Sequence, residues 1–526
     1  MTSSTSLLIF SFLSLMSPHL IVPAFAADSN STSNSTPILL SCGTSGSIQD
    51  TGSNRTWVGD IGSKYISHET SETSIIPYQN PEVPKVPFSA ARIFTSNYTY
   101  SFPLSPGRYF LRLYFYPTNY SNYLASDSYF TVTVHPYTLL SNFSAFLTVE
   151  ALNYDYLIQE FSINITSTTL NLTFAPSTKY LNSYAFINGI EIVPSPDLFS
   201  LSPAYLASGG DLTVFPYDSG MAFQTMYRLN VGGQSLAPSG DSGGLYRSWD
   251  DDSTYIFGAA FGVTFQNDSN VTIEYPKTMP QYIAPILVYE TARSMGPDPQ
   301  IDLNYNLTWI LTVDAGFYYL LRFHFCEIQY PITMSNQRVF NIYINNQTAQ
   351  TQFDVISQSG GIGRPVYEDY VVNTAGSGKM DMWVELHPDT ATKPEYYDAI
   401  LNGLEVFKMS MVENNLAGLN PVPIATNTVN PSQDYGKRHH GSKGNVATII
   451  GGAISSGVLL LSLVGICLLM IYKRQKKKER ETEEGNISDS MAVSMSAKTN
   501  IISASTPTES NNSIQSASAG TFSYGR

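Results

Sequence analysis

The feature that most constrains this chain is an internal repeat. The segment Ala185–Ile192 (AFINGIEI) reads almost the same as Ala399–Val406 (AILNGLEV), which follows 214 residues later. Similar separations relate further pairs, namely Phe130–Val134 with Phe340–Ile344, Ala91-Arg92 with Ala292-Arg293, and two Arg-x-Trp-x-x-Asp motifs at 55–60 and 247–252. A period of this length is too long for a solenoid repeat and matches the size of a domain. The sequence therefore predicts two copies of one globular domain.

Short aromatic and β-branched runs fill the repeated region. Gly, Pro, Asn and Ser clusters interrupt such runs, for example Tyr109–Tyr116, Tyr129–Val134 and Leu320–Cys326. Runs of this kind with frequent turn residues are typical of strands. The sequence thus predicts an all-β fold of two tandem β-sandwich (jelly-roll) domains, at residues 38–193 and 225–409, joined by a connector at 197–224.

The two ends of the chain indicate a membrane protein. Residues 1–26 combine an apolar run with the small-residue pattern Ala24-Phe-Ala26, which predicts a cleaved signal peptide. Residues 446–472 carry no charge and are long enough to cross a bilayer as a transmembrane helix. Basic residues follow this span at once, which places residues 473–526 in the cytoplasm as a disordered tail. Residues 410–445 are expected to form a juxtamembrane stalk, and the topology is single-pass type I in the plasma membrane.

Acceptors for N-linked glycosylation support an extracellular N-terminal part. Each Asn-x-Ser/Thr match is weak alone, but many in one polar region favour passage through the secretory pathway. The predicted acceptors are Asn30, Asn34, Asn54, Asn97, Asn119, Asn142, Asn164, Asn171, Asn267, Asn270, Asn306 and Asn346.

Charge and cysteine content limit the partners. The formal net charge is −14 at pH 7, and the acidic excess lies in the N-terminal part. Such a surface repels nucleic acid and demethylated pectin at long range and attracts basic peptides. The chain has 3 cysteines, of which Cys42 and Cys326 could pair across the repeats. Stability must therefore come mainly from large apolar cores and not from a disulfide framework.

The repeated Arg-x-Trp-x-x-Asp motif supplies the candidate ligand-binding residues, which are Trp57, Asp60, Trp249 and Asp252. Tryptophan rings stack on sugars and carboxylates bind sugar hydroxyls. The competing interpretation, which we favour because both repeats keep the motif, is structural: an Arg–Asp pair that pins a loop over a packed Trp.

Other motifs carry weaker signals. Asp250-Asp251-Asp252 could contribute to a Ca²⁺ site but lacks the Gly and distal Glu of an EF-hand loop, so a solvated acidic loop is favoured. His324-x-Cys326 places two metal-ligand types on one strand face, but no second pair is nearby, and a core role is favoured. The two Asn-Gly steps, at Asn188 and Asn402, indicate a hairpin turn or a bulge. No nucleophile elbow, zincin motif or kinase signature occurs, and no cofactor or metal is expected.

Taken together, these motifs resemble a known family. Its pattern includes the Cys42-Gly opening, both Arg-x-Trp-x-x-Asp motifs, the Ala-Arg pairs, Phe323-His-Phe-Cys-Glu327 and both Asn-Gly-Ile/Leu-Glu segments. They look like tandem malectin-like domains, and the following span and Lys-rich stretch resemble the FERONIA–THESEUS–ANXUR group of plant receptor-like kinases. The resemblance covers about residues 38–480.

The resemblance implies partners as well as a fold. It implies recognition of basic secreted peptides of the rapid alkalinization factor type, a GPI-anchored co-receptor, and binding of pectin oligosaccharides. Family members continue into a Ser/Thr kinase, whereas this sequence ends at Arg526, about where that domain would begin. It holds no phosphate-cradling loop with its Lys and metal-binding Asp. We therefore expect no enzyme activity from these residues, and signalling through a kinase domain absent from this chain or a partner kinase.

Three functions remain open from the sequence. The favoured one is a cell-surface receptor ectodomain that recognises an extracellular ligand. The alternatives are a wall-binding, lectin-like membrane anchor or a decoy receptor without signalling, and a glycosidase fused to an anchor. For the last of these, no carboxylate pair can be recognised in the sequence.

Overall fold

The structure is a computed structural model that describes residues 36–66, 71–76, 79–258 and 262–422. The predicted signal peptide, membrane span and cytoplasmic tail, together with Asn30 and Asn34, lie outside these residues. Among the described residues, no helix is both long and apolar enough to cross a membrane. Strands make up most of the regular structure, as the sequence predicts.

We call residues 38–195 the first module and residues 204–409 the second module. The first module contains the strands β1 (Ile38–Ser41), β2 (Ser47–Asp50), β3 (Arg55–Gly59), β4 (Glu72–Ile75), β5 (Ala90–Phe94), β6 (Tyr98–Pro103), β7 (Gly107–Phe115), β8 (Phe130–Val134), β9 (Tyr137–Phe143), β10 (Leu157–Ile165), β11 (Thr169–Pro176), β12 (Ala185–Ile187) and β13 (Gly189–Ser195). Its helices are α1 (Lys85–Phe88), α2 (Ala145–Leu152) and a 3-10 turn at Ala125–Asp127.

The second module repeats this arrangement. Its strands are β14 (Ala204–Leu206), β15 (Phe223–Asn230), β16 (Asp250–Asp251), β17 (Val263–Gln266), β18 (Thr291–Ser294), β19 (Leu307–Asp314), β20 (Tyr318–Phe325), β21 (Phe340–Ile344), β22 (Gln347–Phe353), β23 (Val366–Asn373), β24 (Lys379–Pro388), β25 (Ile400–Leu401) and β26 (Gly403–Met409). Its helices are α3 (Ile286–Tyr289), α4 (Pro299–Asp302), α5 (Val355–Ser359) and a 3-10 turn at Pro238–Gly240.

Each module is a sandwich of facing sheets. The order β6-β11-β8-β9 in the first module corresponds to β19-β24-β21-β22 in the second, and β12-β5-β4 corresponds to β25-β18-β17. Side chains alternate along each strand between the core and the solvent. On β24, Met382, Val384 and Leu386 point inward and are fully buried, whereas Asp381 points outward. Burial of each such side chain contributes about 1.5–3 kcal/mol.

At the two Asn-Gly steps the chain passes from one sheet to another, which corrects the hairpin turn or bulge indicated by the sequence. Asn188 lies between β12 and β13, which belong to different sheets, and Asn402 lies between β25 and β26 in the same way. The Asn188 side chain accepts from the Tyr116 N–H (2.7 Å) and donates to the Ala90 carbonyl (2.7 Å). The buried amide therefore ties together the backbone segments that the crossing chain would leave unpaired.

One sheet runs through both modules. In the described part of the chain it has 12 strands, and its central order is β20-β26-β15-β10-β7-β13. The modules meet where β10 pairs antiparallel with β15, through Phe161 opposite Gln224 and Ser162 opposite Phe223. The predicted connector is therefore partly structured, because β14 and the start of β15 fall within residues 197–224.

Residues 410–422, which the sequence assigns to the stalk, lie against the first module. We call them the strap. Leu416 is fully buried in the core of the first module, and its N–H donates to the Thr138 carbonyl (2.9 Å). Lys408, at the end of β26, donates to the Leu416 carbonyl (2.9 Å). The chain that leaves the second module is thus fixed to the first module before it reaches the rest of the predicted stalk.

The side chain of Asn420 offers a test of the strap. It accepts from the Ser144 N–H (2.9 Å) and donates to the Asn142 carbonyl (2.7 Å). We expect Asn420→Ala to lower the free energy of unfolding by about 1–2 kcal/mol, because two partly buried hydrogen bonds are lost. Urea unfolding measures this, with Asn122→Ala at an exposed position as the control. Hydrogen exchange should rise in residues 138–152, and equal stability of the two variants would contradict the assignment.

Candidate functional site

The carboxylate of Asp60 is the centre of a buried hub in the first module. It accepts from Arg92 through Nε (2.6 Å) and Nη2 (2.9 Å), from the Tyr100 hydroxyl (2.8 Å) and from the Gly43 N–H (2.8 Å). Gly43 has φ of +80°, and a Cβ there would lie 2.3 Å from the Ala91 carbonyl oxygen. Glycine is therefore required for the backbone to approach the carboxylate.

Asp252 occupies the same place in the second module. It accepts from Arg293 through Nε (2.7 Å) and Nη2 (2.8 Å), from the Trp309 indole N–H (2.9 Å) and from the Gly232 N–H (3.0 Å). The repeat thus preserves a complete constellation of a carboxylate, a bidentate guanidinium, an aromatic donor and a glycine amide. Bidentate Arg–carboxylate pairs of this kind are strong and geometrically specific.

The arginines of the Arg-x-Trp-x-x-Asp motifs do not pair with the aspartates of the same motif, which corrects the predicted pairing. Arg55 pairs with Glu191, and Arg247 pairs with Asp241 (2.8 Å). The partners of Asp60 and Asp252 come instead from the Ala-Arg steps on β5 and β18. The structural role of the motif involves a buried Trp and two separate ion pairs in each module.

The four candidate ligand-binding residues lie in the interior. Trp57 and Trp249 are 2% and 0% exposed, and Asp60 and Asp252 are 0% and 1% exposed. Trp57 packs edge-on against Tyr114, with ring centroids 5.2 Å apart. A ligand could reach either pair only if the module that contains it opened, so the sugar-binding interpretation has no accessible surface at these positions.

A chain of buried ion pairs crosses the junction of the modules. Glu160, on β10, accepts from Arg112 Nε (2.6 Å) of the first module and from Arg228 Nη2 (2.8 Å) of the second. Arg112 also pairs with Glu191 (2.9 Å), and Arg228 also pairs with Glu405 (2.7 Å). We call these five residues the junction ladder. Its side chains are at most 10% exposed.

The ladder keeps its carboxylates ionised. Burial raises the pKa of Glu160, but the guanidinium groups of Arg228 and then Arg112 outweigh this and lower it to about 2. The pKa of Glu191 and of Glu405 is also held below the usual range by their arginine partners, against the opposing effect of burial. Since every charge has a partner of opposite sign, the ladder favours one alignment of the modules and leaves no free acid or base for chemistry.

His324 closes the ladder in the second module. Its Nε2 lies 3.1 Å from Glu405, and its Nδ1 lies 2.8 Å from the Tyr289 hydroxyl. Burial lowers the pKa of His324, so the ring is neutral, donates from Nε2 and accepts at Nδ1. This agrees with a core role for His324-x-Cys326. Cys326 and Cys42 are both buried and free, so they do not pair with each other.

The acidic run at 250–252 is less exposed than expected. Asp250 and Asp251 form the short strand β16, and Asp252 is buried in the hub described above. Within the residues that the structure describes, no group of three or more His, Cys, Asp or Glu side chains could hold a metal ion.

The described glycosylation acceptors all reach the surface at least in part. The exposed ones are Asn54, Asn97, Asn119, Asn171, Asn270, Asn306 and Asn346, and the half-buried ones are Asn142, Asn164 and Asn267. Their modification stays a prediction.

Two shallow concave surfaces lie away from the two hubs and the junction ladder. One, of about 360 Å³, follows the connector and is lined by residues 199–204, 215–217 and 219. The other, of about 250 Å³, lies on the outer face of the sheet β19-β24-β21-β22 and is lined by Asn306, Tyr343, Asn346, Glu385 and His387. Both suit the recognition of a partner better than the enclosure of a small substrate.

Comparison with known proteins agrees with this geometry. The model of the malectin-like domain family matches residues 40–409. The chain belongs to the malectin-like family. Among curated relatives from Arabidopsis thaliana, the receptor-like protein kinase FERONIA is 47% identical over 474 residues, which cover 88% of this chain and 53% of the relative. ANXUR1 is 43% identical, with 84% of this chain and 51% of the relative covered. The chain thus spans about half the length of these curated relatives.

Solved structures also match this chain. A crystal structure of the plant receptor-like kinase FER is 50% identical, with a TM-score of 0.69, and covers 74% of this chain and 100% of that chain. The ANXUR1 extracellular domain from Arabidopsis thaliana is 44% identical, with a TM-score of 0.69 and the same coverage. The matched part of this chain therefore has the tandem malectin-like fold of receptor ectodomains.

Sequence reasoning missed the junction ladder. Glu160 and Arg228 are single charged residues in strands, with no motif around them. The available signal was the charge itself, because an ionised residue inside an apolar strand is rarely buried without a partner. The charge alone did not identify which residues would form ion pairs with each other.

Proposed function

We propose that this chain is the extracellular recognition part of a single-pass plasma-membrane receptor. It binds a basic secreted peptide together with a GPI-anchored co-receptor, and it signals through a Ser/Thr kinase domain in the same protein or in a partner. The observation that carries the proposal is the solved complex of the plant peptide RALF23 with FER and LLG2. It has a TM-score of 0.68 and 50% identity, and it covers 74% of this chain and 99% of that chain.

Two features of the chain support a binding role. The net charge of −14 favours association with a cationic peptide. Each hub stabilises its own module and the junction ladder favours one alignment of the two modules, so the partner meets a surface that is already formed. A preformed surface lowers the ordering cost of association.

Calorimetric titration of the secreted residues 27–445 with a synthetic basic peptide tests this proposal. We expect saturable binding that strengthens when the co-receptor is added. We also expect affinity to fall as salt rises from about 0.05 to about 0.5 M, since screening weakens attraction between exposed charges. A peptide of the same sequence with its Lys and Arg replaced by Gln is the matched control.

The lectin-like alternative is tested in the same way with an oligogalacturonide. Binding of the polyanion without binding of the basic peptide would overturn the receptor proposal. Titration of the chain alone does not distinguish a signalling receptor from a decoy receptor. Recruitment of a kinase when the peptide is added would support a signalling receptor.

A further inference from the structure

The outer face of the sheet β19-β24-β21-β22 carries an aromatic patch. Of the 4 tryptophans in the chain, Trp57, Trp249 and Trp309 are at most 2% exposed, but Trp383 on β24 is only half-buried. Phe257, 51% exposed, packs against it with ring centroids 4.9 Å apart. Contiguous apolar surface that is open to solvent marks a contact surface when it is extended, so this pair is a candidate for one.

The outward positions of the first module that match this part of β19 and β24 carry no aromatic side chain. On β6 and β11, which match β19 and β24, the outward positions are small and polar, with Thr99 bonded to Thr173 (2.9 Å) and Ser101 bonded to Asn171 (2.9 Å). The same backbone position therefore carries different chemistry in the two repeats. The fold does not require the aromatic residues, so they need another explanation.

Two glycosylation acceptors lie at this face of the second module. Asn306 precedes β19, and Asn346 is in the two-residue turn between β21 and β22. Both line the concave surface formed with Tyr343, Glu385 and His387. The neighbouring turn residue Asn345 accepts from the Trp383 N–H (3.0 Å), which fixes this turn beside Trp383.

The contacts of Asn306 fit a modified amide. Its Nδ2 donates to Glu385 Oε1 (3.0 Å), and both acceptor residues are exposed. A glycosylated asparagine keeps one N–H, so this hydrogen bond can persist while the sugar extends from the same nitrogen. Pyranose rings present an apolar C–H face, which packs on aromatic rings, and hydroxyls, which suit Glu385, His387 and Tyr343.

We propose that the N-linked glycans of Asn306 and Asn346 lie on this face and cover Trp383 and Phe257. We call this face, with its glycan cover, the glycan shelf. A glycosylated chain is enough for this arrangement, whatever ligand the receptor binds.

Acrylamide quenching of tryptophan fluorescence in the full chain, purified in detergent from a glycosylating eukaryotic cell, tests the shelf. The double variant Asn306→Gln/Asn346→Gln should show a quenching constant roughly twofold higher than the parent, because the buried indoles contribute little. Trp383→Phe in both backgrounds should abolish the difference. Asn171→Gln removes an acceptor from the matching face of the first module and should leave quenching unchanged.

A second measurement guards against misfolding of the double variant. Endoglycosidase trimming of the folded parent, followed by quenching, should reproduce the rise, and glycopeptide mass spectrometry should find sugar on Asn306, Asn346 or both. The proposal is overturned if neither residue carries sugar. It is also overturned if trimming leaves the quenching of Trp383 unchanged, as would happen if a free oligosaccharide or a protein covered the face.

Discussion

Replacing Asp60 or Asp252 with asparagine is expected to lower the free energy of unfolding by about 3–5 kcal/mol, because each change leaves a buried guanidinium without its counter-ion. Arg92 and Arg293 are 5% and 7% exposed, so water cannot substitute for the carboxylate. Asparagine also presents an amide –NH₂ where the structure needs an acceptor. At least one of the four donors around each hub would then face another donor.

Urea unfolding followed by circular dichroism measures this loss. The control is Asp211→Asn, the same chemical change at an exposed position, where we expect a change within about 0.5 kcal/mol. Because each hub belongs to one module, hydrogen exchange should rise mainly in the first module for Asp60→Asn and in the second for Asp252→Asn. Stabilities equal to that of the Asp211→Asn variant would show that the hubs do not stabilise the modules to which they belong.

The hubs show which features of the buried ion pairs could be predicted from the sequence. The repeat revealed that Asp60 and Asp252, and likewise Arg92 and Arg293, occupy equivalent positions, which was enough to favour a structural role. It did not reveal the pairing, because Arg55 is nearest in sequence to Asp60 whereas Arg92 is nearest in space. Strand pairing decides such contacts, and sequence spacing within one motif carries no information about it.

The family fold could be predicted, since alternating strands, turn residues and repeated motifs are local signals. The strap could not. Leu416 lies in a segment of polar, small and scattered apolar residues with several prolines, and that composition is typical of a linker. Its burial depends on contacts with core residues of the first module, which are far away in sequence. The exposed aromatic patch was missed for a similar reason, because Trp383 looks like a core residue until the facing of β24 is known.

Replacing Glu160 with glutamine is expected to loosen the junction of the modules. Arg112 and Arg228 each keep one carboxylate partner, but the group that joins the two modules becomes neutral. A pKa of about 2 against an ordinary value near 4.3 corresponds to about 3 kcal/mol at pH 7. Urea unfolding should show this loss, and hydrogen exchange should rise at 161–162 and 223–224, where the modules pair.

The pH dependence distinguishes this electrostatic effect from a packing defect. A carboxyl with a lowered pKa in the folded state stabilises it fully above its unfolded pKa, and this contribution disappears as pH falls toward the folded pKa. The parent should therefore lose the Glu160 contribution between about pH 4.3 and pH 2, whereas the Glu160→Gln variant has none to lose there and should show a shallower acid dependence. Glu274→Gln, at an exposed position, should follow the parent curve. Parallel curves for the Glu160→Gln variant and the parent would mean that the charge of Glu160 does not stabilise the junction.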